Sequence, residues 1–539
     1  MRLATLALAA ASPLLGQARL DPPPVPVENP MTPAKVALGK ALFWDEQISS
    51  SKTVACATCH VPEAGGSDPR PAALHPGFDG LAATDDDVHG SFGVVFTSSE
   101  GPYAWEPFFG LQRQATHRKA PSILMAAYDS DLFWDGRAPQ QLYDPATRQL
   151  VISQGGALER QAMEPFLNEV EMTQTGTEWP TVVDRVRGSR PLALAARVPA
   201  ALAGFIGRRS YPELFTDAFG TTDVTPVRIA MAIASYERTL VPSETPMDRY
   251  LAGEQGALTP LEEEGFAVFQ RSRCTLCHES PTFGGSRFFN IGVRPPSEDP
   301  GRASITRQAR DVGAFKTPSL RNVAQRAPYF HNGGMATLAD VVDFYDRGGD
   351  FAENRSHLVQ PLGLNANEKA ALLAFLDRPL TDARAVTGAP PFDHPALSAS
   401  GPRSPRHYGR GTAGTGGRVP RLVAIEPPLL GNGEFHMALT DGAATAPASL
   451  LLDLAPGRSS LFGVQVLVGL TPALQVLPLG QLLHGSGGGD GWAAWNLALP
   501  DDPAFAGLEF FAQGLVLDAG GPQGLSASAA VRWRLFGPR

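Results

Sequence analysis

Four cysteines and two histidines have the spacing best suited to chemistry. The chain has 539 residues and four cysteines. They form the motifs Cys56-Ala-Thr-Cys59-His60 and Cys274-Thr-Leu-Cys277-His278. Both read CxxCH, in which two thiols add to the vinyl groups of a haem and the adjacent histidine becomes the proximal iron ligand. The sequence therefore predicts two covalently bound haem c groups, with His60 and His278 as iron ligands.

Two other uses of paired cysteines remain open from the residues alone. Two CxxC pairs also suit a tetrahedral zinc site, and an oxidising compartment would allow two local disulfides. Neither use explains why a histidine follows each pair. Haem attachment is therefore the favoured interpretation.

The N-terminus predicts export. Arg2 precedes an apolar run over residues 3–15, and Gly16 and Ala18 are small residues suited to cleavage. We expect a signal peptide at residues 1–18 and a periplasmic or secreted protein. No later run reaches ~18 apolar residues, so we expect no transmembrane segment. The formal net charge of -9 gives no reason to expect a nucleic-acid partner.

We predict a mainly α fold with two cytochrome c-like haem domains, followed by a C-terminal β-sandwich domain. Apolar periodicity predicts helices near both ends of the N-terminal part. Short apolar runs between Gly- and Pro-rich turns predict the β-sandwich. The predicted boundaries are 19–243 for the N-terminal haem domain, 244–380 for the C-terminal haem domain, 381–421 for a linker and 422–539 for the β-sandwich.

Five further motifs resemble the bacterial di-haem cytochrome c peroxidases and their relative MauG, which completes a tryptophan-derived quinone in a partner protein. The resemblance covers roughly residues 30–380. It implies that the N-terminal, peroxidatic haem reacts with hydrogen peroxide, and that the C-terminal, electron-transfer haem accepts or stores electrons. The motifs are Phe133-Trp-Asp-Gly-Arg-Ala138, Tyr236-Glu-Arg-Thr-Leu240, Phe315-Lys-Thr-Pro-Ser-Leu-Arg-Asn322, Ala327-Pro-Tyr-Phe-His331 and Val341-Val-Asp-Phe-Tyr-Asp-Arg-Gly-Gly349.

The resemblance also implies three catalytic residues. Trp134 would lie between the haems and relay electrons; a core tryptophan is the structural alternative. Gln161 and Glu171 keep the ten-residue separation of the family's distal glutamine and glutamate. Glu171 would move a proton between the oxygens of peroxide as a general base and then an acid, unless it is a solvated surface carboxylate. Gln161 would orient peroxide or the glutamate.

Tyr345 falls where the family places the sixth ligand of the second haem. That ligand is methionine in many of the peroxidases and tyrosine in MauG. A phenolate is a hard anionic donor that favours ferric iron, so the potential of this haem should be lower than with methionine. Met335 is the rival ligand. Tyr345 favours a MauG-like site in which both haems share the oxidising equivalents.

The sequence departs from the family at its calcium site. Family members bind calcium between the domains, but the matching positions are Lys119, Arg326 and Pro328 here. Calcium takes oxygen ligands, and two cations at its site would repel it. We therefore do not expect calcium to be kept.

A second departure concerns the distal side of the first haem. The position of the family's blocking histidine matches Leu111, so we expect a five-coordinate, open haem with His117 as a reserve ligand. His75 and His89 lie in the same loop, which is enlarged at Pro62–His117. A loop of this length is usually functional or disordered.

The leading function is the reduction of hydrogen peroxide to water with electrons from a small cytochrome c or cupredoxin. A MauG-like enzyme that oxidises a protein substrate is the first alternative. A non-catalytic di-haem electron carrier is the second. A homodimer is compatible with each.

Overall fold

The computed structural model describes residues 20–70, 74–97, 103–398, 401, 403–485 and 488–537. The predicted signal peptide lies outside the described residues. Over the part of the chain that is described, no helix has the length and apolar character needed to cross a membrane.

Most of the chain before residue 400 consists of helices joined by long loops. The helices are α1 (Pro33–Trp44), α2 (Cys56–Cys59), α3 (Ala157–Met163), α4 (Trp179–Gly188), α5 (Ala200–Ile206), α6 (Tyr211–Phe219), α7 (Pro226–Glu237), α8 (Pro246–Leu251), α9 (Pro260–Arg271), α10 (Ala303–Thr306), α11 (Leu338–Arg347), α12 (Ala366–Leu376) and α13 (Ala383–Thr387). Short strand pairs interrupt the loops: β1 (Leu74–His75), β2 (Val88–His89), β3 (Phe92–Val95), β4 (Arg113–Ala115), β5 (Leu142–Tyr143), β6 (Leu150–Ile152), β7 (Phe288–Phe289) and β8 (Phe315–Lys316).

Four of these helices begin with the same local signal. Thr32, Thr225, Thr245 and Thr259 each precede a proline, and each threonine side chain accepts the N–H three residues later. A threonine N-cap satisfies an orphan helix donor, and proline at the first position lacks the N–H that would be orphaned. These dipeptides fix where α1, α7, α8 and α9 start.

The largest hydrophobic core lies where α1 packs against α7. Leu38, Phe43 and Tyr236 are at most 1% exposed. The helices touch at Gly39, where an added Cβ would lie 1.8 Å from the carbonyl oxygen of Ala232. Only glycine permits this approach. α2, which carries the first cysteine pair, follows α1 and packs on the same core.

A second core has the same design. α9 packs against α12, and an added Cβ at Gly265 would lie 2.0 Å from the carbonyl oxygen of Ala371. Phe269, Phe283 and Phe375 interlock in the centre, with ring centroids 5.2 to 6.2 Å apart. α9 leads directly into the second cysteine pair.

The C-terminal part consists of strands: β9 (Arg406–Tyr408), β10 (Arg421–Ala424), β11 (His436–Ala443), β12 (Pro447–Asp453), β13 (Pro456–Leu461), β14 (Val464–Val468), β15 (Gln475–Leu482), β16 (Gly488–Asn496), β17 (Glu509–Leu517), β18 (Leu525–Ala527) and β19 (Ala530–Arg534). One sheet has the order β10-β11-β16, and another has the order β15-β12-β17-β19-β9, with β18 beside β17. All these pairs are antiparallel. Met437 and Trp495 of the first sheet share one core with Leu450 and Trp533 of the second.

The strand-rich C-terminal region agrees with the prediction, whereas the mainly α character is not confirmed. Long loops and short strand pairs occupy much of the chain before residue 400, and loop residues form much of the walls of the cavities described below. The division into two cytochrome c-like domains, with its boundaries, stays a prediction.

The segment predicted as a linker, 381–421, differs from a free linker over its first half. Asp382 and Phe392 are fully buried, and the backbone N–H of Asp382 donates to Asn322 Oδ1 at 3.2 Å. Ser398 donates through its N–H and its hydroxyl to the buried carboxylate of Glu46. These anchors hold the Pro- and Gly-rich segment against both helical cores.

Candidate functional site

The first cysteine motif opens into a cavity of about 690 Å³, lined by Cys59 and His60. His60 Nδ1 lies 3.2 Å from the carbonyl oxygen of Gly66. A carbonyl only accepts, so Nδ1 carries the proton and Nε2 is free to bind a metal. Burial lowers the pKa of His60, which keeps the imidazole neutral, as iron ligation requires.

The second cysteine motif repeats this arrangement. Cys274, Cys277 and His278 line a cavity of about 240 Å³. His278 Nδ1 lies 3.2 Å from the carbonyl oxygen of Phe283, and burial lowers its pKa to about 4. The thiol of Cys59 therefore lines the first cavity and the thiols of Cys274 and Cys277 line the second, and each cavity has one neutral, oriented imidazole. This donor set fits a haem c in each.

The donor set fits the other two uses of cysteine less well. All four cysteines carry free thiols. Cys59 and Cys277 line different cavities, so the four sulfurs do not converge on one tetrahedral metal site. Within the described residues no group of three or more His, Cys, Asp or Glu side chains could hold a metal ion.

A repeated segment joins the two cavities. Lys119-Ala-Pro-Ser122 and Lys316-Thr-Pro-Ser319 match, and the pairs Phe133-Trp134 and Phe330-His331 follow at the same distance along the chain. The two copies exchange backbone hydrogen bonds, since Lys119 N–H donates to His331 O at 2.7 Å and Lys316 N–H donates to Trp134 O at 2.8 Å. The interface between the cavities is thus built from equivalent residues.

Trp134 and His331 lie at this interface, and both line both cavities. The Trp134 indole N–H donates to the carbonyl oxygen of Lys119 at 2.8 Å. Its ring centroid lies 6.4 Å from that of His331, and His331 stacks on Phe315 at 3.6 Å. The indole therefore has a fixed orientation between the two cavities.

Gln161 and Glu171 line the first cavity together with Arg137. Gln161 lies on α3. Glu171 is held by Asn168, whose side-chain amide donates to its Oε1 at 3.0 Å. Burial raises the pKa of Glu171, Arg137 lowers it, and Glu164 raises it further. The carboxyl group is therefore oriented by Asn168, and its pKa is raised above the ordinary value of a glutamate.

The enlarged loop Pro62–His117 forms another wall of the first cavity. His75 and His117 line it, and their ring centroids are 3.8 Å apart. Leu111 points elsewhere, into a buried cluster with Ile425 and Ala438 of the C-terminal sheets. The backbone N–H of His89 donates to Asn332 O at 2.9 Å, which ties the loop to the second cysteine-bearing part.

Tyr345, on α11, lines the second cavity together with His278. Burial raises its pKa, and the nearby thiols of Cys274 and Cys277 raise it further. The rival ligand Met335 lines a different cavity, beside His89. Tyr345, rather than Met335, therefore lines the cavity that contains His278.

Two buried cations occupy the positions that match the family's calcium site. Lys119 is 5% and Arg326 8% exposed. Lys119 Nζ donates to Ser67 Oγ at 2.9 Å, and burial lowers its pKa to about 8. Arg326 Nη1 donates to the carbonyl oxygen of Ser319 at 2.7 Å, while its Nε is buried without a partner among the described residues. Pro328 lines the second cavity.

Sequence reasoning missed three residues of these cavity walls: Arg137, Glu237 and His331. Arg137 and Glu237 each belong to a motif that resembles the family, but no chemical pattern marked them. His331 could have been found by aligning the two Lys-x-Pro-Ser segments, which places it opposite Trp134.

Known proteins resemble this chain over about two thirds of its length. The family model described as di-haem cytochrome c peroxidase matches residues 33–256. Cytochrome-c peroxidase IdrP1 of Pseudomonas sp. (strain SCT) is 30% identical over 394 residues, which cover 67% of this chain and 84% of the relative. Methylamine utilization protein MauG of Methylophilus methylotrophus is 31% identical over 363 residues, which cover 66% of this chain and 86% of the relative.

Among solved structures, a MauG-like protein associated with microbial copper homeostasis is 27% identical with a TM-score of 0.49, and the match covers 72% of this chain and 99% of that one. The identity and coverage of the two sequence relatives are sufficient to assign the family. The chain belongs to the di-haem cytochrome c peroxidase and MauG family, which implies haem c cofactors, and it is a peroxidase-type oxidoreductase.

Proposed function

We propose that the protein reduces hydrogen peroxide to water at a haem held by Cys56, Cys59 and His60. The observation that carries the proposal is the shared wall. Glu171 and Gln161 line the same cavity as His60, and Trp134 lines that cavity and the one that contains His278. The cavity that would bind peroxide is thus connected through Trp134 to the cavity that would hold the second haem.

Glu171 would act as the proton-transfer group. A bound haem supplies the iron that binds peroxide and the redox equivalents for its reduction. Glu171 accepts the proton of the near peroxide oxygen and returns it to the departing oxygen. Its raised pKa suits both roles, because a carboxyl group that is a stronger base than an ordinary glutamate accepts a proton more readily and can then return it. Gln161 would orient the peroxide.

Trp134 would relay electrons between the two haems. Its indole N–H is engaged by the Lys119 carbonyl, so the ring keeps one orientation. The second haem would be held by Cys274, Cys277 and His278, with Tyr345 as its sixth ligand. The donor in this proposal is a small reduced cytochrome c or cupredoxin in the periplasm or outside the cell.

A second candidate is oxidation of a protein substrate, which Tyr345 favours. A phenolate ligand stabilises ferric iron, so the second cavity suits storage of oxidising equivalents. The relative from Methylophilus methylotrophus carries the name MauG. In this version the substrate would be a protein docked at the surface. Trp134 would again carry electrons from the second haem to the first.

The deciding experiment is a count of electrons per peroxide. The haem-loaded full chain is mixed with reduced small cytochrome c or cupredoxin, and peroxide is added in limiting amounts. Peroxide reduction predicts that two electron equivalents of donor are oxidised for each peroxide consumed. Peroxide consumption that leaves both donors reduced would contradict the first candidate and favour the second.

A further inference from the structure

The cavity beside His60 contains a second carboxyl group that the proposed reaction does not use. Glu237 is the last residue of α7, lines this cavity with Glu171 and is only 3% exposed. Its Oε2 atom is buried and has no hydrogen-bond partner among the described residues. A buried carboxyl oxygen without a partner is costly, so this side chain needs a reason beyond packing.

The neighbouring cation does not neutralise Glu237. Both terminal nitrogens of Arg238 donate to Glu159, each at 2.8 Å, and the two side chains of this pair are at most 1% exposed. Burial raises the pKa of Glu237 to about 8, although Arg238 lowers it, and the negative charge of Glu159 raises it further. Glu237 therefore keeps its proton to a higher pH than an exposed glutamate does.

The charges on the helices packed against α7 have partners of their own. On α1, Lys35 Nζ donates to Asn29 Oδ1 and to Pro30 O, and Lys40 pairs with Asp393 at 2.9 Å. On α3, Glu159 is taken by Arg238, and Arg160 pairs with Glu164 at 2.6 Å. None of these groups fixes the charge of Glu237, which is free to change.

Glu237 also acts on the first haem-attachment motif. The carboxyl groups of Glu237 and Glu171 both raise the pKa of the Cys56 thiol, after burial, which is the main cause. Glu237 is therefore within electrostatic reach of the edge at which a haem would be attached. Charges interact more strongly inside a protein than in water, because the effective dielectric constant is lower there.

We propose that Glu237 is a proton-loading site coupled to the first haem, protonated when that haem is reduced and prone to ionise when it is oxidised. The inference rests on the proposed haem at Cys56, Cys59 and His60, and not on peroxide reduction. In the coupled step, the carboxylate of Glu237 gains one proton from solvent while the iron gains one electron from the donor protein. The net charge of the cavity then stays constant.

The test is a potentiometric titration of the haem-loaded full chain between pH 6 and 10, followed by visible absorption. Ionised Glu237 places a negative charge beside the haem and stabilises ferric iron. The potential of the first haem should therefore stay level at low pH and fall as the pH rises through about 8. In Glu237→Gln this fall should disappear, and the potential should keep its low-pH value.

Glu178→Gln is the matched control, because Glu178 is an exposed carboxylate at the start of α4, and it should keep the wild-type curve. A wild-type pH dependence in Glu237→Gln would overturn the proposal.

If Glu237→Gln does not load haem, the reduced-minus-oxidised infrared difference spectrum of the wild type decides. A carboxylic acid C=O band that changes with redox state and is kept in Glu171→Gln supports the proposal; the absence of such a band, or its loss in Glu171→Gln, contradicts it. Peroxide is not added, so these results do not depend on the proposed reaction.

Discussion

Glu171 acquires its proposed role from its neighbours rather than from its residue type. Asn168 fixes the direction of the carboxyl group. Burial raises the pKa of Glu171, and Arg137 opposes this effect. A glutamate in water titrates far below neutral pH. The cavity therefore converts an ordinary carboxylate into a group that can both accept and return a proton.

Replacing Glu171 with Gln keeps the size of the side chain and removes the proton acceptor. The rate constant for the reaction of the ferric protein with peroxide should fall by about 10²–10⁴-fold, measured by stopped-flow absorption. In the wild type the rate should rise with pH through the raised pKa of Glu171, because only the ionised form accepts a proton. Glu169→Gln, at an exposed carboxylate that accepts hydrogen bonds from Thr175 and Gly176, should react at the wild-type rate. An unaffected rate in Glu171→Gln would remove Glu171 from proton transfer.

Tyr345→Met replaces an anionic oxygen ligand with a neutral thioether. The reduction potential of the second haem should rise, because the phenolate no longer favours ferric iron. A redox titration followed by absorption measures this change. Met335→Leu is the control, and it should leave the potential and the spectrum unchanged. A change of ligand-field bands in Met335→Leu would assign the sixth ligand to Met335 instead.

Sequence patterns predict residues whose chemistry is local. His60 and His278 could be predicted because thiols and imidazole fall within five consecutive residues of each motif. Glu237 could not, because its raised pKa comes mainly from burial in the folded chain, while Glu159 binds the cation that follows Glu237 in the chain. Such effects depend on side chains that are brought together only by folding.

At the scale of elements, the contact between α1 and α7 holds the first cysteine motif in place. α1 leads to α2, and α7 carries Glu237 at its end. The close approach at Gly39 allows the backbones to touch. Any displacement of α1 would therefore reach both the first cysteine motif and the cavity wall.

Gly39→Ala should destabilise the protein, because the new methyl group would lie 1.8 Å from Ala232 O and must push the helices apart. Overpacking of this kind costs about 1–3 kcal/mol. Gly204→Ala on α5 has nothing within 4 Å and should stabilise its helix by roughly 0.5–1 kcal/mol. Urea unfolding measures the free energy of unfolding of both variants. Equal stability of the two would contradict the packing argument.

Helices that begin with a clear N-cap residue could be predicted from the sequence, whereas the packing of the segments between elements could not. Thr32 and Thr259 mark the starts of α1 and α9 through their side-chain oxygens and the following prolines. The segment 381–421 has the composition of a linker, yet Asp382 and Phe392 are buried in it. A few anchoring side chains are enough to pack a Pro- and Gly-rich segment. The overall composition of the segment does not reveal them, because they are a small fraction of its residues.

At the scale of the whole molecule, the C-terminal sheets hold the enlarged loop that walls the first cavity. Leu111 packs against Ile425, and the Tyr103 hydroxyl donates to Glu426. Glu426 also pairs with His436: the distance from Glu426 Oε1 to His436 Nδ1 is 3.0 Å. A group of three polar side chains, of which Glu426 and His436 are buried, therefore joins the loop to the strand-rich region.

His436 should make this attachment depend on pH. Burial lowers the pKa of His436, but Glu426 outweighs burial, so the pKa is raised above 6.5. A raised pKa in the folded state contributes stability that is fully present below pH 6.5 and is lost as the pH rises through the folded-state pKa. The melting temperature should fall more steeply with rising pH in this range for the wild type than for His436→Gln, which does not titrate. Identical slopes would contradict the pair.

The central claim is that one haem is open to peroxide and the other is closed by Tyr345. Electron paramagnetic resonance of the ferric, haem-loaded protein tests it most directly, before and after one equivalent of peroxide is added. We predict one high-spin signal from the haem at His60, which is lost on reaction with peroxide, and one low-spin signal from the haem at His278. Two low-spin haems that do not respond to peroxide would contradict the account.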